Sequence, residues 1–311
     1  IPGIRGRYLL ALVFLWLSAR LLLLYPTIAP QWLIVLVDLS FLPVAAAIFS
    51  SFIMRVQQWR NFIFVPILLA LASANAMLHW SAYSGAPIMQ TGVSTVTVLL
   101  ITLLMSIMAG RVLPMFTANG TQTDRVANIL WLERATLLTM LLAVLAGSGM
   151  LPASAASFFM FLAAITLAVR GLRWRIWVTF KTPLVWSLHL SYWCIPLGLL
   201  LFGLSLLTRV VSHSQAVHTL TVGAMGVMIL AMISRVSLGH TGRKIIVGKV
   251  MTIAFATAFV AFLVRVFGVY WIENYTHLIV LSVFLWVLAY GCFFIVYLPV
   301  LTRPRVDGRP G

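Results

Sequence analysis

Oily runs of roughly twenty residues recur along the chain, each closed by a short polar interruption, and no period-two alternation competes with them. A membrane helix needs about 20 apolar residues, because each rises 1.5 Å and the hydrocarbon is roughly 30 Å thick. Ten segments read as spans: residues 8–24, 32–54, 62–80, 88–109, 135–150, 153–169, 184–207, 215–234, 247–266 and 275–298. The pattern predicts an all-α fold, a polytopic transmembrane helix bundle of about ten spans. Interruptions such as Ser84-Gly85-Ala86-Pro87 and Gly147-Ser148-Gly149-Met150-Leu151-Pro152 are as short as turns between antiparallel helices. No polar stretch is long enough for a soluble domain, so residues 1–311 read as a single transmembrane domain.

Charge tests this count independently, since Lys and Arg are retained on the cytoplasmic side of short loops. With ten alternating spans, all of the 21 Lys and Arg except Arg20, Arg209 and Arg265 fall on one side. Both termini are therefore expected in the cytoplasm. The first residue is Ile1 rather than Met, and no signal-peptide cleavage region follows, so the sequence is expected to be N-terminally incomplete.

Composition agrees: 62% apolar and 8% charged residues exclude a soluble core and make the lipid bilayer the surroundings. The formal net charge of +16 is strung out between the spans rather than gathered on a helix face, which argues against nucleic acid as a partner. Cys194 and Cys292 lie in apolar stretches with no C-x-x-C spacing, so neither a disulfide framework nor a zinc ribbon is supported.

Of the five acidic residues only Asp38 falls inside a predicted span. A carboxylate there is costly in lipid, so it should face protein or water, pairing with Arg20 across the first outer turn or relaying protons. Paired carboxylates, a Ser-His-Asp arrangement, H-E-x-x-H and a glycine-rich phosphate loop are all missing from the sequence, which leaves hydrolase and nucleotide-driven mechanisms without support.

The predicted topology sorts the six histidines by depth. His79 closes the third span at its outer end, His213 lies in an outer loop, and His218 and His277 open the eighth and tenth spans from outside. His189 sits just inside the inner end of the seventh, and His240 follows the eighth in a cytoplasmic loop. Neutral imidazole suits copper and haem iron, so the outer four are a candidate metal site; each is equally explained by hydrogen bonding at a helix end. Met225, Met228 and Met232 follow His218 at helical spacing and offer either soft sulfur ligands or core packing, and Gly223 and Gly226 permit close approach of a helix or a planar group.

Two polar strings mark the cytoplasmic face. Ser234-Arg235-Val236-Ser237-Leu238-Gly239-His240-Thr241-Gly242-Arg243 concentrates donors able to hold a propionate, a lipid phosphate or the other inner loops, and also reads as a capped helix end. Gly110-Arg111-Val112-Leu113-Pro114-Met115-Phe116-Thr117-Ala118-Asn119-Gly120 closes the fourth span, where Pro114 is expected to end the helix. The two strings are expected to pack together as a polar inner cap.

His218-Thr219-Leu220-Thr221-Val222-Gly223-Ala224 running on to the Arg235–Arg243 string resembles the hallmark of the NnrS family, and Gly110 to Thr117 resembles its second hallmark. Span spacing and the Trp59-Arg60-Asn61 turn are also similar, so the resemblance covers essentially the whole chain. It implies a bacterial inner-membrane protein containing haem and copper, linked to nitric oxide metabolism and resistance to nitrosative stress. Matching positions make His218, His240, Arg111, Arg235 and Arg243 candidate cofactor-binding residues, with His79, His213, His218 and His277 as candidate metal ligands. Relative to the family's roughly twelve spans, about two N-terminal ones and their histidine-rich segment are missing. The competing expectation is a transporter or channel for a proton, metal or small anion, with Asp38, the outer histidines and the inner arginines along its path.

Overall fold

A computed structural model describes residues 6–308, the side chains of residues 87–89 excepted. Among them every regular element is helical: α1 (Arg7–Leu24), α2 (Gln31–Val56), α3 (Phe64–Ser84), α4 (Pro87–Thr121), α5 (Leu130–Ala146), α6 (Ala153–Arg173), α7 (Pro183–Leu207), α8 (His213–His218), α9 (Val227–His240), α10 (Lys249–Phe267) and α11 (Tyr275–Thr302). A π-helical segment, Thr219–Gly226, joins α8 to α9 without a break, so His213–His240 is one rod. Nine rods among the described residues are long and apolar enough to cross a membrane. Helix α5, at 17 residues, is about 26 Å long and near the lower end of that range. The chain is thus a multi-pass helical membrane protein. Arg5 and Arg309, two of the charges that set the expected orientation, lie outside the described residues, as does the chain start.

Apolar residues cover most helices all round. In α1 only Ala19 is buried, and Val283, Phe284, Val287, Phe294 and Ile295 of α11 are exposed. Such faces are costly in water and neutral against lipid tails, so burial by lipid is what the sequence encodes there.

Two helix boundaries depart from the sequence reading. Pro114 does not end its helix: α4 continues to Thr121. A proline has no N–H for the carbonyl four residues back, here that of Gly110, and Asn128 Nδ2 donates to that oxygen at 3.4 Å instead. Helix α5 begins at Leu130 rather than 135, which takes Glu133 into its first turn. Asp38 is therefore not the sole acidic residue within a membrane helix.

The chain divides into two compact units, residues 1–100 and 101–311. Unit 1 holds α1, α2, α3 and the first turns of α4. Unit 2 holds the remainder, with α7 as its most enclosed helix. Tight packing beside the π-helical segment depends on Gly226, whose missing side chain leaves room for the Trp286 ring; a Cβ there would overlap Trp286 Cη2. Met225 and Met228 are buried, and Gly223 packs on Phe262 and Cys194, so the methionine and glycine pattern serves close protein packing in this rod.

Candidate functional site

In unit 1, three helices converge on Asp38, whose side chain is 2% exposed. Its Oδ1 accepts from the Arg20 guanidinium of α1. Its Oδ2 accepts from Asn75 Nδ2 at 2.8 Å and from His79 Nε2 at 2.9 Å, both on α3. The Arg20 pairing is the one expected for a carboxylate placed in lipid. His79 carries its proton on Nε2 in this arrangement, which leaves Nδ1 as its available nitrogen.

In unit 2, His218 stands where α8 passes into the π-helical segment. Its Nδ1 lies 2.7 Å from the Ser214 carbonyl oxygen, which only accepts, so the ring proton is on Nδ1. Nε2 then offers a lone pair, and Arg265 Nη2 donates to it at 3.1 Å. Arg265 closes α10, and its Nη1 donates to Tyr275 Oη at 3.3 Å. Gln215 braces this end, donating to the Val266 carbonyl at 2.8 Å and to Tyr270 Oη at 3.3 Å, while Tyr270 donates to the Val210 carbonyl at 3.1 Å. His213 packs edge-on against Phe202, with ring centroids 5.0 Å apart. His277 is exposed in the first turn of α11, where Asn274 caps its backbone N–H.

The opposite end of unit 2 carries the two polar strings, and they meet: Arg235 Cζ lies 3.7 Å from the centroid of the Phe116 ring. Next to Phe116, Thr117 Oγ1 lies 2.8 Å from Nε2 of the fully buried His189, whose Nδ1 has no partner. Arg243 reaches the Val300 carbonyl at 3.4 Å. The tail after α11 straps the turn after α9, as Arg305 donates to the His240 carbonyl at 2.8 Å and Val306 N–H to that of Thr241 at 3.3 Å. The His240 ring itself is exposed, and Arg111 is half-buried on α4.

Compared with known protein families, residues 1–305 match the model described as NnrS protein. The chain belongs to the NnrS family. No curated protein and no solved structure matches it.

Mapped onto this NnrS-family fold, the first hallmark string spans both ends of unit 2, with His218 at one and Arg235 to Arg243 at the other, where it meets the second hallmark. His218 and Arg235 are 17 positions apart on one rod, which puts their backbones somewhat under about 25 Å apart, at opposite ends of it. His79 belongs to unit 1, whereas His213, His218 and His277 belong to unit 2. Among the described residues no group of three or more His, Cys, Asp or Glu is close enough to hold a metal ion.

Haem and copper place different demands on such a donor set. A haem iron needs as little as one axial imidazole, and a ligating histidine characteristically donates its other N–H to a carbonyl or carboxylate. His218, fixed by Ser214, has that form, with Arg265 standing where the ligand bond would be. Copper bound by protein side chains alone needs several of them converging, and these residues do not fit it.

Sequence reasoning missed a buried network in unit 2. Arg170, 3% exposed, donates to Tyr192 Oη at 3.1 Å, Glu133 Oε2 at 3.2 Å and both the carbonyl and hydroxyl oxygens of Ser106, tying α4, α5, α6 and α7 together. Gly110 makes room for it, since a Cβ would come within 2.9 Å of Arg170 Nη1. Arg170 read as one more cytoplasmic loop charge, and the only sequence signal against that was the small residue facing it.

Proposed function

We propose that this NnrS-family chain is a haem-binding protein of the bacterial inner membrane, acting in nitric oxide metabolism and the response to nitrosative stress, with His218 as the axial ligand. Family membership across the chain supports the functional class, and the observation that carries the ligand assignment is the His218 tautomer, held by the Ser214 carbonyl so that Nε2 presents its lone pair. A haem held by His218 would supply an iron able to take a diatomic gas. The protein's part is to hold the imidazole neutral and oriented, with Ser214 as the positioning group and Arg265 as the cation that must yield. Copper, which the resemblance also implies, finds no group of three or more His, Cys, Asp or Glu among the described residues and takes no part in this reading.

Arg111, Arg235, Arg243 and His240, at the far end of the rod, serve a separate contact from His218. His189 accompanies them as the buried imidazole of that end, with Nδ1 unpartnered among the described residues. In this reading both termini are cytoplasmic, which the distribution of Lys and Arg supports, so cysteine labelling at Ser212 and Lys244 should report opposite compartments.

The test is optical and analytical. Replacing His218 with Ala in the complete protein is expected to remove most of the Soret absorbance and haem content, while a spectrum and haem content equal to wild type take His218 out of the ligand set. A second reading, a transporter for a proton or small ion, draws on the Asp38 cluster, because a carboxylate contacted by Arg, Asn and His within a membrane helix bundle is a common ion-pathway arrangement. Ion flux in proteoliposomes from protein lacking a chromophore, lost on Asp38→Asn, would favour it.

A further inference from the structure

Three arginines fall outside the expected cytoplasmic set, and structure accounts for them differently. Arg20 has Asp38. Arg209 is exposed beside the end of α7, where water or headgroups can reach it. Arg265 is half-buried on a helix long and apolar enough to cross the membrane, and its hydrogen-bond partners are His218 Nε2 and Tyr275 Oη, both uncharged. Among the described residues no carboxylate forms an ion pair with it. A guanidinium presents five N–H donors in a planar fork, so two single contacts leave donors and the entire charge without a protein counterpart.

An uncompensated cation that is partly withdrawn from water is costly unless an anion accompanies it. The site is also built rather than accidental. The bonds from Gln215 to Val266 and Tyr270, and from Tyr270 to Val210, lock the surrounding elements together. His218 is held from behind by Ser214, and Arg265 Cζ sits 5.8 Å from the Tyr275 ring centroid, so the fork is steadied from two sides. Glu273 is the sole acidic residue between positions 134 and 306, and it lies in the turn before α11 without an ion pair to Arg265. Arg235 differs, since its charge faces an aromatic ring and neither steadying hydrogen bond exists there.

We propose that Arg265, steadied by His218 and Tyr275, is the core of a binding site for an oxyanion of the carboxylate or phosphate class, supplied either by a lipid headgroup or by a free anion. Two oxygens of such a group match the edge of the guanidinium, and paired charge-assisted bonds form there. His218 Nε2 can accept from Arg265 or ligate haem, not both; where haem takes it, Arg265 keeps Tyr275 and its uncompensated charge, so the anion site persists with one steadying bond fewer.

The full chain in nanodiscs, with 15N-labelled arginine, tests this. The Arg265 side-chain resonance is assigned by its loss in Arg265→Gln. In nanodiscs of zwitterionic lipid, inorganic phosphate and acetate are titrated; in a second arm, phosphatidylglycerol replaces part of the lipid. A saturable shift with either soluble anion supports a free-anion site, and a shift only with phosphatidylglycerol supports a headgroup site. Arg265→Lys, which keeps the charge without the fork, should weaken soluble-anion binding, read by calorimetry, about tenfold, and Arg265→Gln should abolish it, with thermal unfolding near wild type certifying both folds. No shift in either arm overturns the proposal, as does equal anion binding in Arg265→Gln.

Discussion

Arg20 and Arg265 are the same residue type placed near the ends of apolar helices, each close to a histidine, yet their surroundings are opposite. Around Arg20 the protein supplies the counter-charge: Asp38 is enclosed and takes up the guanidinium, an amide and an imidazole together. Around Arg265 it supplies only neutral acceptors, and the imidazole touches the cation directly instead of through a carboxylate. The first cluster is closed on itself and fastens three helices. The second is electrostatically open, and an open charge at a helix end is what a ligand site requires. Position relative to the membrane is thus not what decides whether an arginine is structural; the carboxylate is.

The largest effect should come from breaking the closed cluster. Arg20→Leu leaves a buried carboxylate with only Asn75 and His79, and should destabilise the protein by about 3 kcal/mol, the low end for an orphaned buried charge because Arg20 is 44% exposed. Removing the carboxylate as well, in Arg20→Leu with Asp38→Leu, should recover most of that loss, since apolar replacement of an entire buried pair is nearly neutral. Both are read from equilibrium unfolding in mixed micelles; a double variant no more stable than the single would mean Asp38 is not charged in the wild type. Arg265→Leu should cost about 1 kcal/mol or less in the same assay, because neither partner it abandons is charged. The smallest change sharpens the contrast by closing the open cluster: Tyr275→Glu gives Arg265 a carboxylate of its own, should stabilise by up to about 1 kcal/mol at an exposed position, and should remove binding of added anion.

Much of this architecture was legible from local pattern alone. Each of the ten predicted spans overlaps a helix, nine of them long and apolar enough to cross a membrane and the fifth shorter and shifted toward Leu130, and the Arg20–Asp38 pair was readable because one short turn separates two oppositely charged residues that lipid tolerates poorly apart. What escaped depended on partners distant in sequence. Pro114 looks like a helix end until Asn128, beyond the end of its own helix, takes over the Gly110 carbonyl. Arg170 looks like a loop charge until Glu133, Ser106 and Tyr192 surround it from three other helices. For the candidate site, the residues of the family pattern and their division between the outer and the cytoplasmic end of the rod were both legible, since helical rise alone separates His218 from Arg235. Arg265 was seen only as a charge on the less basic side; its contact with His218 joins positions 47 apart.

The π-helical segment Thr219–Gly226 carries a consequence for the gene as well as the protein. Its widened turns hold more chain than an α-helix would over the same rise, and Trp286 and the Tyr290 hydroxyl grip its far end at Gly226. Losing a single codon within it would remove the residue that a π turn holds beyond an α turn, and the rod would rewind to α geometry with its two flanks facing much as before. His218 would then stay on the side of the rod that faces Arg265, so a one-codon deletion there should be better tolerated than one within α9, which would turn everything before it by about 100°.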